Sequence, residues 1–295
     1  MSEIRIDALL PQEMATRAEY LGVRKAEMPF LKMFMLSVLA GAFIALGAIF
    51  ATTVSAGSMA ITTPSGDAAF STGLPFGVTR LLSGLVFSLG LILVVVGGAE
   101  LFTGNNLIVM AWANGKVTGR ALLRNWVIVY IGNFVGAIGT AVLMFFTRQY
   151  TFGANSIGIA ALKTGVAKSE LTFLQAIALG ILCNALVCMA VWLTFSARST
   201  IDKIAAIIFP ITAFVAAGFE HSIANMYFIP YALFIKMFDV DFVNKVADKV
   251  PGLEKLTWQA FWIKNLLPVT IGNIIGGAVL VAAVYWAIFL RPEKS

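Results

Sequence analysis

Long runs without a charged residue or a histidine alternate with charged segments along this 295-residue chain. Each run is long enough to cross the roughly 30 Å hydrocarbon core of a bilayer as a helix rising about 1.5 Å per residue. We therefore predict an all-α membrane protein that crosses the bilayer several times. The uninterrupted runs are residues 33–53, 126–146, 171–195 and 266–290.

Two further apolar segments are too long to be single membrane helices. One covers residues 81–115, with Glu100 as its only charged residue. The other covers residues 204–235 and is interrupted by Glu220 and His221. A straight helix of either length would extend about 50 Å, well beyond the hydrocarbon core. Each must therefore break, where its backbone is buried in protein or lines a cavity. The sequence predicts six spans, of which the second and the fifth are broken.

The two expected breaks resemble each other. Gly, Glu and Asn fall at identical offsets in residues 98–105 (GAELFTGN) and residues 218–225 (GFEHSIAN). The spans that follow them also share a Gly-Asn pair and a later Gly at equal spacing. The repeat unit is thus three spans, residues 30–150 and 168–290, and an odd number of crossings inverts the second copy. Inverted repeats with broken helices are a recurring transporter design, in which the substrate binds near the midplane.

The basic residues predict the orientation of the chain, because cytoplasmic loops carry an excess of Lys and Arg. The net charge is +6. The first loop on the opposite side, residues 54–70, contains neither Lys nor Arg. We expect both termini to be cytoplasmic, and we attribute the positive charge to topology and not to nucleic-acid binding. The basic residues assigned to the cytoplasmic side are Arg5, Arg17, Arg24, Lys25, Lys32, Lys116, Arg120, Arg124, Arg198, Lys203, Arg291 and Lys294.

One histidine and two cysteines limit the possible chemistry. Cys183 and Cys188 lie in one apolar span and do not face each other on a helix, so we expect no disulfide. A single histidine excludes bis-histidine haem ligation and a His-rich metal site. We therefore expect no cofactor, no metal site and no enzymatic activity.

An anion inside the membrane needs donors or dipoles, because an unpaired charge in a low-dielectric medium costs roughly tens of kcal/mol. Half-helices that begin after Thr103 and after His221 would present free N–H groups and positive dipole ends. Thr103 and Ser222 are residues of a good N-cap type. Thr103 is therefore a candidate for the substrate pathway, with a role as a cap alone as the alternative.

His221 is the strongest candidate for the substrate pathway. It lies beside Glu220 at the break of an otherwise uncharged span, and ionisable residues inside a membrane are commonly functional. Its imidazole can donate a hydrogen bond to an anion or pass it a proton; a core histidine with satisfied hydrogen bonds is the alternative. Glu100 and Glu220 would repel an anion. We expect each to stabilise its own loop by accepting N–H groups or by capping the following half-helix.

Two further sets of residues fit either of two roles, lining the pore or packing against neighbouring helices. Phe87 and Leu91 share one helix face, and Phe214 lies two turns before His221, so the three could form a constriction. Amides within spans usually bridge helices. These amides are Asn133, Asn184 and Asn273.

The segments at both breaks and in the last span resemble signatures of the formate/nitrite transporter family. They are GAELFT (98–103), GFEHSIANM (218–226) and PVTIGNIIGG (268–277), and the second is highly specific. The resemblance extends from about residue 8 to the C-terminus and is closest to the formate channel branch. It implies an aquaporin-like protomer, a homopentamer with one pore per protomer, and a bacterial inner-membrane location.

The resemblance also implies roles for individual residues. The family's central histidine corresponds to His221 and its loop threonine to Thr103. Its pore-side lysine corresponds to Lys168, and its pore amides correspond to Asn184 and Asn273. The family's constriction residues correspond to Phe87, Leu91, Leu101, Phe102 and Phe214.

The chain is thus predicted to have three parts. Residues 1–29 form a cytoplasmic amphipathic helix, residues 30–290 the channel domain, and residues 291–295 a cytoplasmic tail. In the family, the N-terminal helix and the first break take part in gating. A helix that lies on the membrane surface explains the same amphipathic pattern.

The predicted function is a channel for formate and similar small monovalent anions, with proton coupling through His221 as a hypothesis. Nitrite, hydrosulfide, acetate or lactate are alternative substrates of the same architecture. A neutral-solute channel of aquaporin type is disfavoured, because Asn-Pro-Ala motifs are missing at both half-helix starts. A membrane enzyme or redox subunit is disfavoured by the single histidine. The expected partners are small anions, the lipid bilayer and further copies of the chain, and not nucleic acid.

Overall fold

The computed structural model describes residues 8–57, 60–62, 68–71 and 74–292. Six helices of this part are long and apolar enough to cross a membrane, and a shorter apolar helix follows the fifth. This confirms the predicted architecture of six spans. The α-helices are α1 (Pro11–Ala26), α2 (Phe30–Ser55), α3 (Phe76–Gly97), α4 (Val109–Ala113), α5 (Gly119–Phe146), α6 (Ser156–Ser169), α7 (Phe173–Ser196), α8 (Thr200–Ala217), α9 (Ser222–Phe238), α10 (Val240–Val246), α11 (Leu267–Ile274) and α12 (Val284–Phe289).

The sixth span, Ala260–Phe289, alternates between two helix types. It is π-helical over Ala260–Leu266 and Ile275–Ala283, with α11 between them. Pro268, in the first turn of α11, has no N–H to donate to the preceding turn. That missing hydrogen bond accounts for the wider turn before α11.

A short hairpin in the loop between α2 and α3 adds the only strands in the described part of the chain. β1 (Ala60–Thr62) and β2 (Ala68–Ser71) pair antiparallel. The predicted fold class contains only helices, and this hairpin lies outside the spans. The remaining residues of the loop, 58–59, 63–67 and 72–73, lie outside the described residues, as do Arg5 and Lys294.

Both long apolar segments break, as predicted. α3 ends at Gly97 and α8 at Ala217, and each is followed by a glycine with a positive φ. This φ is 76° at Gly98 and 79° at Gly218. A side chain is strained in this left-handed region, which explains glycine at the same place in both repeats.

Glycines also allow equivalent helices of the two repeats to pack closely. A Cβ atom at Gly136 of α5 would overlap the carbonyl oxygen of Val38 in α2. A Cβ atom at Gly276 of the sixth span would overlap the carbonyl oxygen of Ile181 in α7. The first and third spans of each repeat therefore meet backbone to backbone, and this contact positions the broken helices beside them.

Candidate functional site

Two cavities lie along α3. The Lys168 cavity has a volume of about 460 Å³ and is lined by Lys168, by Arg80 near the start of α3, and by His221. The Lys25 cavity has a volume of about 340 Å³ and is lined by Lys25 and by Leu91 further along α3. The order of these residues along α3 shows that one cavity follows the other.

α8 lines the same two cavities in the opposite order. Lys203, near its start, lines the Lys25 cavity, and Phe214, near its end, lines the Lys168 cavity. α3 and α8 therefore run antiparallel past the two cavities. This is the arrangement that an inverted repeat predicts.

Apolar side chains separate the two cavities. The rings of Phe87 and Phe214 meet edge to face, with their centroids 5.7 Å apart, and both line the Lys168 cavity. Leu91 and Leu101 are buried and line the Lys25 cavity. Phe102 lines neither cavity; it packs against two aromatic rings of α5, at centroid distances of 4.9 and 6.0 Å. The structure thus brings four of the five candidate constriction residues to the cavities.

The two breaks meet at one hydrogen bond beside the Lys168 cavity, which His221 lines and Thr103 does not. Thr103 Oγ1 lies 2.9 Å from His221 Nε2, and both residues are buried. His221 Nδ1 accepts the backbone N–H of Ala224 at 3.1 Å. Because a backbone N–H only donates, Nδ1 carries no proton, and the neutral ring carries its proton on Nε2. Nε2–H therefore donates to the Thr103 hydroxyl, and this contact does not use the hydroxyl proton.

This geometry makes His221 a hydrogen-bond donor and not an acid in the described conformation. To give a proton to an anion, the imidazole would first have to carry protons on both nitrogens. A proton on Nδ1 would face the N–H of Ala224, and that cap bond would be lost. Proton coupling through His221 would therefore break the cap bond at the start of α9.

The sequence offers Ser222 as the cap of α9, and this prediction was wrong. His221 caps α9, because its Nδ1 reaches Ala224, whereas the N–H of Ser222 is bound by Asn273 Oδ1 at 2.9 Å. After Thr103, the chain forms a 3-10 helix, Gly104–Ile108, before α4. The Thr103 hydroxyl makes no cap bond there and contacts His221 instead.

A cluster of four side chains holds the second break. Glu220 Oε1 accepts from Lys168 Nζ at 2.7 Å. Glu220 Oε2 accepts from Asn225 Nδ2 at 2.7 Å and from Asn265 Nδ2 at 3.1 Å. Asn265 also donates to the backbone carbonyl of Lys168 at 3.0 Å. The buried carboxylate thus ties α6, the break, α9 and the sixth span together.

The first break is held by an equivalent cluster. Glu100 accepts from Lys25 Nζ at 2.7 Å and from Asn105 Nδ2 at 2.7 Å. Asn105 donates to Asn125 Oδ1 at 2.9 Å, and Asn125 donates to the backbone carbonyl of Lys25 at 3.0 Å. Each glutamate was expected to accept N–H groups of its own loop or to cap the half-helix that follows. Their partners are Lys and Asn side chains instead, since these can deliver a positive charge to a buried carboxylate.

The candidate amides fix the backbone of the breaks. Asn133 Oδ1 accepts the backbone N–H of Phe102 at 2.9 Å, and Asn133 Nδ2 donates to the carbonyl oxygen of Glu100. In the same way, Asn273 Oδ1 accepts the backbone N–H of Ser222 at 2.9 Å, and Asn273 Nδ2 donates to the carbonyl oxygen of Glu220. Asn184 donates to the carbonyl oxygens of Thr103 at 3.3 Å and of Asn273 at 2.7 Å. These amides line neither cavity. Their contacts are with the backbone of the breaks and of the sixth span.

Comparison with known proteins identifies the family of this chain. A sequence model described as Formate/nitrite transporter matches residues 12–287. The chain belongs to the formate/nitrite transporter family. It is 44% identical over 288 residues to the formate channel FocA of Escherichia coli strain K12, covering 97% of this chain and 96% of that relative. It is 40% identical over 276 residues to the formate channel FocA of Haemophilus influenzae, covering 93% and 92%.

A solved structure of the formate/nitrite transporter family shares the fold. It is described as a pentameric formate channel with formate bound, and it aligns with a TM-score of 0.78 at 44% identity. The alignment covers 89% of this chain and 98% of that one. The chain is thus a multi-pass membrane protein of this family, and the matched range includes every candidate residue described above.

Sequence reasoning did not identify several residues of the site, Lys25 and Cys188 among them. Lys25 was assigned only to topology, although it stands five residues before α2 just as Lys168 stands five residues before α7. That equal spacing could have identified it. Cys188 Sγ donates to the carbonyl oxygen of Thr103 at 3.3 Å. A small residue within an apolar span gives no sequence signal for such a contact.

Proposed function

We propose that this protein is a channel for formate and similar small monovalent anions in the bacterial inner membrane. It assembles as a homopentamer with one pore in each protomer, and both termini are cytoplasmic. The observation that carries this proposal is the buried Thr103–His221 pair beside the Lys168 cavity, which does not use the proton of the Thr103 hydroxyl. The two FocA relatives and the formate-bound pentamer support formate as the substrate.

The anion crosses in three stages. It first enters the Lys168 cavity or the Lys25 cavity, each of which holds basic side chains. It then passes the apolar side chains of Phe87, Phe214 and Leu91, which exclude hydrated cations. Between these side chains, the Thr103 hydroxyl donates to the anion, and His221 Nε2–H orients that hydroxyl. A small anion needs few donors, so this site selects for size and negative charge.

Uptake of labelled formate into proteoliposomes tests the proposal. We expect the purified protein to raise the initial uptake rate well above that of empty liposomes. Unlabelled formate should compete most strongly, followed by nitrite, with acetate and lactate weaker because a larger ion must pass the Phe87–Phe214 contact. Uptake no faster than in empty liposomes would refute the function. Rapid water or glycerol permeation without anion uptake would indicate an aquaporin-type channel instead.

A further inference from the structure

The charges that line the Lys168 cavity do not balance. Among the described residues, its ionisable side chains are Arg80, Lys168, Glu220 and His221. Lys168 and Glu220 form an ion pair at 2.7 Å, and both side chains are largely buried. His221 is neutral in the described conformation, since its Nδ1 accepts from a backbone N–H. Arg80 therefore supplies the cavity's net positive charge.

Arg80 binds backbone oxygens and no carboxylate among the described residues. Its Nε donates to the carbonyl of Ala216 at 3.0 Å, and its Nη2 donates to the carbonyl of Val215. These carbonyls belong to the last turn of α8, where free C=O groups form the negative end of the helix dipole. A guanidinium has five N–H donors, so three remain beyond these two contacts.

The position of Arg80 is not part of the repeated scaffold. At the spacing that relates Glu100 to Glu220, the counterpart of Arg80 in the second repeat is Thr200. The Lys–Glu–Asn clusters, by contrast, occur at both breaks. A structural requirement shared by the two breaks therefore does not explain Arg80; the basic side chains of the Lys25 cavity are Arg17, Lys25 and Lys203, at other positions of the chain.

We propose that Arg80 recruits the anion to the Lys168 cavity. Its charge offsets the negative end of α8, which would otherwise repel an anion near the break. Its remaining N–H groups bind the carboxylate that enters, because the planar guanidinium matches two carboxylate oxygens. This inference rests on the proposed function of an anion channel and adds the residue that recruits the anion on this side.

Two substitutions separate the charge of Arg80 from its contact with α8. Arg80→Lys keeps the charge but lacks the fork that binds two carbonyls, whereas Arg80→Gln removes the charge. Arg148→Gln is the matched control, because Arg148 is 66% exposed, lies outside the cavity and pairs with Asp239 at the C-terminal end of α9. Initial formate uptake by the full-length protein is measured for each, at low and at high ionic strength. The elution profile of each purified variant in detergent reports its folding.

We expect Arg80→Gln to lower formate uptake about tenfold at low ionic strength, where a nearby charge acts over a Debye length of about 30 Å. The deficit should shrink toward about threefold at high salt, since added ions screen the charge. Arg80→Lys should stay within about threefold of wild type, and Arg148→Gln within about twofold. This pattern would support recruitment by the charge.

Equal losses in Arg80→Lys and Arg80→Gln, unchanged by salt, would overturn the proposal and leave Arg80 as a clamp on α8. Wild-type uptake in Arg80→Gln at low salt would overturn it as well. If the wild type itself carries no formate, the proposed function fails separately. Line broadening of ¹³C-formate by the purified protein then still tests the residue: broadening lost in Arg80→Gln supports it, and unchanged broadening contradicts it.

Discussion

Replacing His221 by alanine should reduce formate uptake by about tenfold to a hundredfold, because the Thr103 hydroxyl then loses its hydrogen bond to the anion, and a hydrogen bond to a charged group is worth about 1.5–3 kcal/mol. The imidazole orients the Thr103 hydroxyl through the 2.9 Å contact to Nε2. Without it, the hydroxyl proton no longer points reliably at the anion, and the gap left by the ring admits water. Initial rates of labelled formate uptake into proteoliposomes measure the loss.

His221→Asn separates transport from helix capping. Asparagine is a good N-cap and can replace the contact to Ala224, but its shorter side chain does not reach Thr103. We expect His221→Asn to unfold at a temperature close to that of wild type while its uptake stays low. If His221→Asn carries formate as fast as wild type does, the imidazole only caps α9 and has no part in the pathway.

Replacing Glu220 by alanine should destabilise the protein by about 3–5 kcal/mol, because a buried ion pair that loses one partner leaves an uncompensated charge. Lys168 is then buried without its carboxylate, and Asn225 and Asn265 each lose an acceptor. The break should loosen, so formate uptake should fall together with the unfolding temperature in detergent.

An exposed ion pair provides the matched control for Glu220. Glu170 pairs with Lys255, and their side chains are 41% and 55% exposed. Glu170→Ala should therefore cost no more than about 1 kcal/mol. Adding Lys168→Met to Glu220→Ala should recover part of the loss, since it removes the unpaired charge. Equal destabilisation by Glu170→Ala and Glu220→Ala would contradict the assignment of Glu220 as the residue that holds the break.

The spans and both breaks could be predicted from the sequence, because they depend on length and on the cost of burying charge. A charge-free stretch of fixed length must cross the bilayer, and a longer one interrupted by Glu220 and His221 must break. The inverted repeat was visible as Gly, Glu and Asn at equal offsets. Such signals are local in the chain and do not depend on how the helices pack.

The details of the site could not be predicted, because they depend on contacts between distant segments. The cap of α9 is His221 and not Ser222, since Asn273 takes the N–H of Ser222. Phe102 faces aromatic rings of α5, a direction that spacing along one helix does not reveal. Lys25 lies on α1 and reaches Glu100 only after folding brings that helix across the first break.

The most direct test of the anion pathway is formate uptake by a pair of Thr103 variants. Thr103→Ser keeps the hydroxyl that His221 orients, whereas Thr103→Val keeps the shape and removes the hydroxyl. We expect Thr103→Ser to stay within about threefold of the wild-type rate and Thr103→Val to lose about tenfold or more, since a hydrogen bond to a charged ligand is lost. Uptake by Thr103→Val at the wild-type rate would show that the anion does not cross at the contact between the two breaks.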